Sequence, residues 1–396
     1  MVRPFNLRNG RIDAGEVALV EEDFIERAGL KTFGLGTLMF ARVGDIGAGI
    51  SLSEKVTISP NIIAAVLDGS IDPYFVGVFA NTRFGQLQLE AGMKVVAQPT
   101  ISTDAIRALR IPQLGTVFQR RISDLFHLAV DAQDASKRLL VDAEITLLGA
   151  LGLKNWQPPE PLSYVRSSRD VLSAGRLDAE HFQEGYYALR QALTSYRAGF
   201  AKLRDLSQKF TNGTEIRDYQ GAGTPYLRVG DLKNLAIDGG SVVFVDPLAA
   251  AELIDKVQLE TGDVLISRSG SLAVSAVVER EWKSALISSH LIRVRISDKS
   301  FDPYFVALFL KTLPGRMQIT QWSNGGVQPE ISQPALGQVV VPKVDMKVQR
   351  VIRRHILESA NARNRSADLL YAAKRAVEIA IEQDEKAAFT YLEANT

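Results

Sequence analysis

Asp72-Pro73-Tyr74-Phe75-Val76 recurs letter for letter as Asp302-Pro303-Tyr304-Phe305-Val306. Subtracting 72 from 302 gives an offset of 230, which also carries Gly85 onto Gly315 and Gln88 onto Gln318. The same offset carries Gln98-Pro99-Thr100-Ile101-Ser102 onto Gln328-Pro329-Glu330-Ile331-Ser332, and Pro112 onto Pro342. Gln119-Arg120 falls on Gln349-Arg350, and Leu139-Leu140 on Leu369-Leu370. So many matches on one ungapped diagonal establish an internal tandem repeat, which governs how every single motif is weighed. Upstream the register slips: Arg42-Val43-Gly44 matches Arg268-Ser269-Gly270 at an offset of 226, and Ile12-Asp13 matches Ile237-Asp238 at 225. Met1 then falls near Tyr226, so the first copy is expected to lack a counterpart of residues 171–225. Arg3 is expected at an untethered end that frays.

Each copy changes texture once. Its first part holds short β-like runs, which in the second copy are VVFVD, DVLISR, AVVERE, LIRVRI and QVVVP, broken by Gly, Asp and Ser. The apolar stretch after each Asp-Pro-Tyr-Phe reads as a single helix. After Pro112 and Pro342 the pattern becomes helical. Ile122, Leu125, Ala129, Leu140, Ala143 and Leu147 fall at three- and four-residue steps or sums of them, and Val117, five residues before Ile122, is placed on the same seam. Val348, Ile352, Ile356, Ser359, Leu370, Ala373, Val377 and Ile381 repeat the pattern. Each helix could run about 35 residues, or about 50 Å, and an apolar seam that long needs a partner. The expected fold class is therefore α+β, with two β-rich domains separated by a spacer of two antiparallel, coiled-coil helices. The boundaries that follow are 1–114, 115–155 (spacer helix), 156–343 and 344–396 (second spacer helix). Two amphipathic helices, each packed on its own domain, are the alternative.

Composition excludes several classes. At 396 residues the chain can bury more than one core. Cysteine is absent, which removes disulfides, Cys-ligated zinc and thiol catalysis together. No run of about 18 apolar residues is present, and the opening MVRPFNLRNGRIDAG has no apolar signal stretch, so a cytoplasmic chain is expected. Lys and Arg number 46 against 45 acids, a net charge of +1, so any nucleic-acid contact must rest on local positive charge.

Catalytic motifs are weak. Asp-Pro-Tyr-Phe resembles the Asn/Asp-Pro-Pro-Tyr tetrapeptide of adenine methyltransferases but lacks the second proline and precedes a helix, so Tyr74 and Tyr304 read as structural. Phe33-Gly34-Leu35-Gly36 has the wrong spacing for a cofactor loop, and neither a P-loop nor a dinucleotide fingerprint is present. Asp263 with Glu281-Trp282-Lys283 has the outline of a metal-dependent nuclease site. The first copy has Thr37 near the Asp263 position and only a displaced Glu54-Lys55. His127, His181, His290 and His355 show no ligand spacing.

Taken in order, Tyr226-Leu227-Arg228-Val229-Gly230-Asp231, Gly262-Asp263-Val264-Leu265-Ile266-Ser267-Arg268-Ser269-Gly270-Ser271 and Ser288-Ser289-His290-Leu291-Ile292 resemble successive signatures of type I restriction–modification specificity subunits. So do Asp302-Pro303-Tyr304, Gln328-Pro329-Glu330-Ile331-Ser332 and the closing helix with Gln349 and Leu369-Leu370. The resemblance implies a non-catalytic DNA-binding subunit of a phage-defence complex, with two target-recognition domains that each read half of a split site in double-stranded DNA. It implies docking of two methylation subunits that carry S-adenosylmethionine, this chain holding no cofactor itself, and completion by a motor-nuclease restriction subunit. The competing reading is a decoy that keeps the docking helices and reads no DNA.

Base contacts favour Arg, Lys, Asn and Gln on loops or strand ends. The second-copy candidates are Arg217, Arg228, Lys233, Arg268, Ser269, Ser271 and Lys283; those of the first copy are Arg3, Arg8, Arg42 and Asp45. Arg42 and Arg268 lead, because a glycine two residues on lets backbone approach closely. Gln98 and Gln328, before proline, read as loop-ordering residues.

Overall fold

The computed structural model describes the chain apart from residues 9, 14–16, 45–46, 95–98 and 326–327 and the side chains of Arg8, Ile254 and Asp255. It forms two compact units, Met1–Ala135 with Ala362–Thr396, and Ser136–Asn361. The fold is α+β. No helix among the described residues is long and apolar enough to cross a membrane.

In the first unit a five-stranded sheet runs in the order Leu7–Arg8, Gly10–Ile12, Ala48–Ile50, Leu38–Ala41, Ile62–Ala65. Gly10–Ile12 and Ala48–Ile50 pair parallel and the other neighbours antiparallel. Leu38, Phe40 and Ile50 face the helix Pro73–Ala80 in one core with Phe75 and Phe79, both almost fully buried. The N-terminus is tethered, against the expectation of an untethered end. Val2 is fully buried, its N–H donates to the Thr57 carbonyl (2.8 Å), and the Met1 amine donates to the Ala18 carbonyl (2.5 Å).

In the second unit the runs read as strands form Val243–Val245, Val264–Ser267, Ser275–Val277, Leu291–Val294 and Val340–Pro342. Thr211–Asn212, Leu291–Val294, Val264–Ser267 and Ser275–Val277 make a four-stranded antiparallel sheet in that order. Thr224–Leu227 lies between Val243–Val245 and, parallel to it, Leu286–Ile287.

The repeat is a repeat of hydrogen bonds as well as letters. Asp72 caps Pro73–Ala80 by accepting from the Tyr74 and Phe75 N–H groups, and Asp302 caps Pro303–Lys311 by accepting from Tyr304. The cap's own N–H is held by an amide side chain: Gln119 Oε1 accepts from Asp72 (3.1 Å) and Gln349 Oε1 from Asp302 (2.7 Å). Gln88 clamps the backbone of Arg110 (N–H to Oε1 2.8 Å, Nε2 to carbonyl 3.1 Å), as Gln318 clamps Val340 (2.7 and 3.0 Å). The apolar stretch is two helices in each copy: Pro73–Ala80 then Arg83–Ala91, and Pro303–Lys311 then Leu313–Trp322. Thr82 and Thr312 make the break. Each is extended, and each hydroxyl donates back to the preceding helix, at Phe79 (2.6 Å) and Phe309 (2.8 Å). The tight turn demands glycine: a Cβ on Gly85 or Gly315 would lie 2.3 or 2.1 Å from those same carbonyl oxygens.

The two long helices span Thr116–Ala150 and Met346–Glu382. Within the first unit Ile122, Leu125 and Ala129 share a core with Leu370, Ala373 and Val377, and the Ser366 hydroxyl donates to the Ala129 carbonyl (2.6 Å). Within the second unit the Ser359 hydroxyl donates to the Ser136 carbonyl (2.9 Å), and Ala143 and Leu147 share a core with Ile352 and Ile356. In each unit the segments run antiparallel. Val117 departs from the expected seam: it is 74% exposed, and Phe118 takes the inward place, edge-on to Phe389 at 5.4 Å.

Candidate nucleic-acid interface

In the second unit, strand Val264–Ser267 is wholly buried and ends at Arg268. The Arg268 N–H donates to the His290 carbonyl (2.9 Å), and its own carbonyl accepts from Ile331 (2.8 Å), so the residue leaves the sheet from a fixed point. Gly270 follows at φ +73°, the left-handed region that favours glycine. The loop Ser288–His290 leaves the parallel strand pair at the same end as Arg228, since the Ser288 N–H donates to the Leu227 carbonyl (2.9 Å).

Arg268, Ser269, Ser289, His290, Gln328 and Glu330 line an open cleft of about 220 Å³. Arg268 pairs there with Glu330, and the Ser269 hydroxyl lies 2.5 Å from His290 Nδ1. Beside them the Ser289 hydroxyl donates to Glu215 (2.6 Å), which also accepts from Arg217 Nε (3.1 Å). Those two hydrogen bonds, Ser289's first, hold the Glu215 carboxyl below its ordinary range. Arg217, 87% exposed, remains turned to solvent.

Other candidates hold different places. Arg228 is half structural: its guanidinium donates to the Ser241 carbonyl (2.7 Å), sits 5.7 Å from the Tyr219 ring and borders Asp231. Lys233 pairs with Asp238 (2.6 Å) on a separate hairpin. Ser271 is exposed, and its carbonyl accepts from the Ser267 hydroxyl. Lys283 is exposed and precedes Leu286–Ile287, at the end of that strand opposite Arg228. Sequence reasoning therefore brought Arg217, Arg228, Arg268 and Ser269 to one edge and left Lys233 and Lys283 outside it. It missed Glu215, Ser289 and Glu330 as partners; Glu330 stood in the Gln-Pro-Glu-Ile-Ser segment, where only Gln328 was given a role, as a loop-ordering residue.

The first unit builds the same frame. The Arg42 N–H donates to the Asn61 carbonyl (2.8 Å), its carbonyl accepts from Ile101 (3.0 Å), and Gly44 has φ +81°. Arg42 is exposed. The turn at Arg3 matches that at Arg228: Asn6 Oδ1 accepts from the Arg3 N–H (2.8 Å) as Asp231 Oδ2 does from Arg228 (2.7 Å). Asp45, Gln98 and the Arg8 side chain lie outside the described residues.

The nuclease outline is committed elsewhere. Asp263 is buried, accepts from Arg295 Nε and a terminal guanidinium nitrogen (2.7 and 2.8 Å) and from the Glu260 N–H (2.8 Å), while Glu281 is exposed. That bond to Asp263 raises the Arg295 pKa above its ordinary value. The described residues contain no group of three acidic, His or Cys side chains placed for a metal.

No family model and no curated protein matches the chain. Among solved structures it is similar to the HsdS subunit from Thermoanaerobacter tengcongensis, at 14% identity over 89% of this chain and 82% of that one, with a TM-score of 0.32. It is also similar to a type I restriction–modification S subunit from M. genitalium, at 14% identity over 88% and 82%, with a TM-score of 0.42. A third similar chain comes from a structure described as the complex assembly and conformational transition of the type I R-M system, at 14% identity over 98% and 90%, with a TM-score of 0.31.

Proposed function

We propose that the chain is the DNA-specificity subunit of a cytoplasmic type I restriction–modification complex. Each unit reads one half of a bipartite site in double-stranded DNA, and the paired long helices set the separation of the readers and dock two methylation subunits. The chain itself is non-catalytic; S-adenosylmethionine belongs to its partners, and a motor-nuclease subunit completes the complex.

The observation that carries this reading is the duplicated frame. Both units fix an arginine at the end of a buried strand, Arg42 and Arg268, by a pair of equivalent backbone hydrogen bonds, and follow it with a left-handed glycine. Two related basic turns on related scaffolds suit two related but unequal half-sites. The paired turns at Arg3 and Arg228 favour a reading subunit over a decoy, because the first copy keeps the frame that a decoy could lose. The test is reconstitution of the purified chain with its cognate methylation subunits. Site-specific methyl transfer that requires this chain supports the proposal; assembly without any site-specific methylation supports the decoy.

A further inference from the structure

The Arg268–Glu330 pair is delivered by rigid backbone from both sides. Arg268 is pinned at its N–H and carbonyl, and Glu330 exchanges two backbone hydrogen bonds with Asn324, each 2.8 Å. The guanidinium and carboxylate meet in the open cleft, their side chains 24% and 50% exposed. The fold does not require them to meet. The first unit builds the same frame around Arg42 with Thr100 in the place of Glu330, Val43 bridging Thr100 as Ser269 bridges Glu330. Arg42 has no ion pair among the described residues.

We propose, resting on the DNA-recognition reading above, that Arg268 and Glu330 act together as a donor–acceptor reader of one G·C base pair, with Glu330 the specificity-determining member. In the major groove guanine offers two acceptors, O6 and N7, and cytosine one donor, the N4 amine. Arg268 supplies the paired donors and Glu330 the acceptor. Without DNA the two satisfy one another. An A·T pair does not replace what they lose, because Arg268 would face the adenine N6 donor beside N7, and Glu330 the thymine O4 acceptor and methyl group. The carboxylate also repels phosphate, which keeps the guanidinium from settling on the DNA backbone. A half-exposed pair of this kind holds by no more than about fivefold. A bidentate arginine contact discriminates bases by about fivefold to a hundredfold. The pair therefore opens for the matched base pair and stays closed against others.

The experiment uses the full chain assembled with methylation subunits and measures methylation rates on DNA in which every position of both half-sites is varied. Glu330→Gln, neutral and of the same shape, is expected to lower discrimination about tenfold at one G·C position of one half-site, leaving the other half-site unchanged. Thr100→Glu, which sets a carboxylate beside Arg42, is expected to raise discrimination for one G·C pair in the other half-site, and it carries the test should Glu330→Gln fail to fold. A wild-type complex with a defined two-part site whose base preferences neither variant alters overturns this inference alone. A wild-type complex that methylates no specific site overturns the recognition reading and the inference with it.

Discussion

Replacing Gln349 by leucine removes a polar clamp at nearly constant volume. Gln349 is fully buried, accepts from the Asp302 N–H (2.7 Å) and donates to the Ser300 and Val344 carbonyls (2.9 and 2.7 Å). Leucine fills the space and leaves the buried Asp302 N–H and Val344 carbonyl without partners and without room for water, whereas the Ser300 carbonyl, on an exposed residue, regains solvent. Each such group costs about 1–3 kcal/mol, and partial relaxation brings the total to about 3–5 kcal/mol. The unit runs from Ser136 to Asn361, which is 226 residues. For that size the thermal midpoint falls by about 2–4 °C per kcal/mol, hence by about 6–20 °C. Gln119→Leu is the internal control. Gln119 makes two such bonds, to Asp72 (3.1 Å) and Leu114 (2.7 Å), and is 9% exposed, so water replaces part of what is lost and the cost is about 1–3 kcal/mol. Thermal unfolding followed by circular dichroism reads both. A midpoint for Gln349→Leu within about 1 °C of the parent, or a larger fall for Gln119→Leu, refutes the reasoning that this bond network closes the repeat.

Charge on the helix seam is costly: Ile352→Asp and Leu370→Asp, at positions 0% and 8% exposed, should each lose several kcal/mol and impair subunit assembly, readable by calorimetry and gel filtration. Burial first, and the hydrogen bond to Glu279 second, push the Tyr304 pKa above the ordinary 10.0. The folded state then keeps a proton that the unfolded state releases, so this contribution is complete below pH 10 and declines as pH rises beyond it. Tyr304→Phe should lower stability at neutral pH and flatten the alkaline fall in denaturant titrations; an unchanged alkaline slope counts against it. Arg268→Ala should relax one half-site by about 1–3 kcal/mol, and Arg42→Ala should affect the other by as much or less. A larger loss from Arg42→Ala in half-site methylation assays reverses that ranking.

Periodicity and repetition made the architecture legible. The duplicated Asp-Pro-Tyr-Phe fixed the offset, and that offset foretold Gln119 and Gln349 as equivalent before their shared role at the Asp72 and Asp302 caps was visible. What periodicity could not resolve were short-range exceptions. Thr82 and Thr312 split one apolar stretch into two helices through side-chain bonds to their own backbone, a competition invisible to a hydrophobic pattern. Val117 is instead a misplacement on the seam: it stands five residues before Ile122, whereas Phe118, four before it, keeps the helical step and is fully buried. At the interface the arginines were legible from the Arg-x-Gly repeats, whereas their partners were not. Arg268 and Glu330 lie 62 positions apart, and Glu215 meets Ser289 across 74; no local spacing encodes such pairs.

Methylation mapping of genomic DNA from cells that express this chain with its cognate methylation subunits tests the central claim most directly. The account predicts one motif in two specific parts separated by a run of unspecified bases, with Arg268→Ala loosening one part only and Arg42→Ala loosening the other. A single continuous motif, or methylation whose sequence is indifferent to both substitutions, contradicts it.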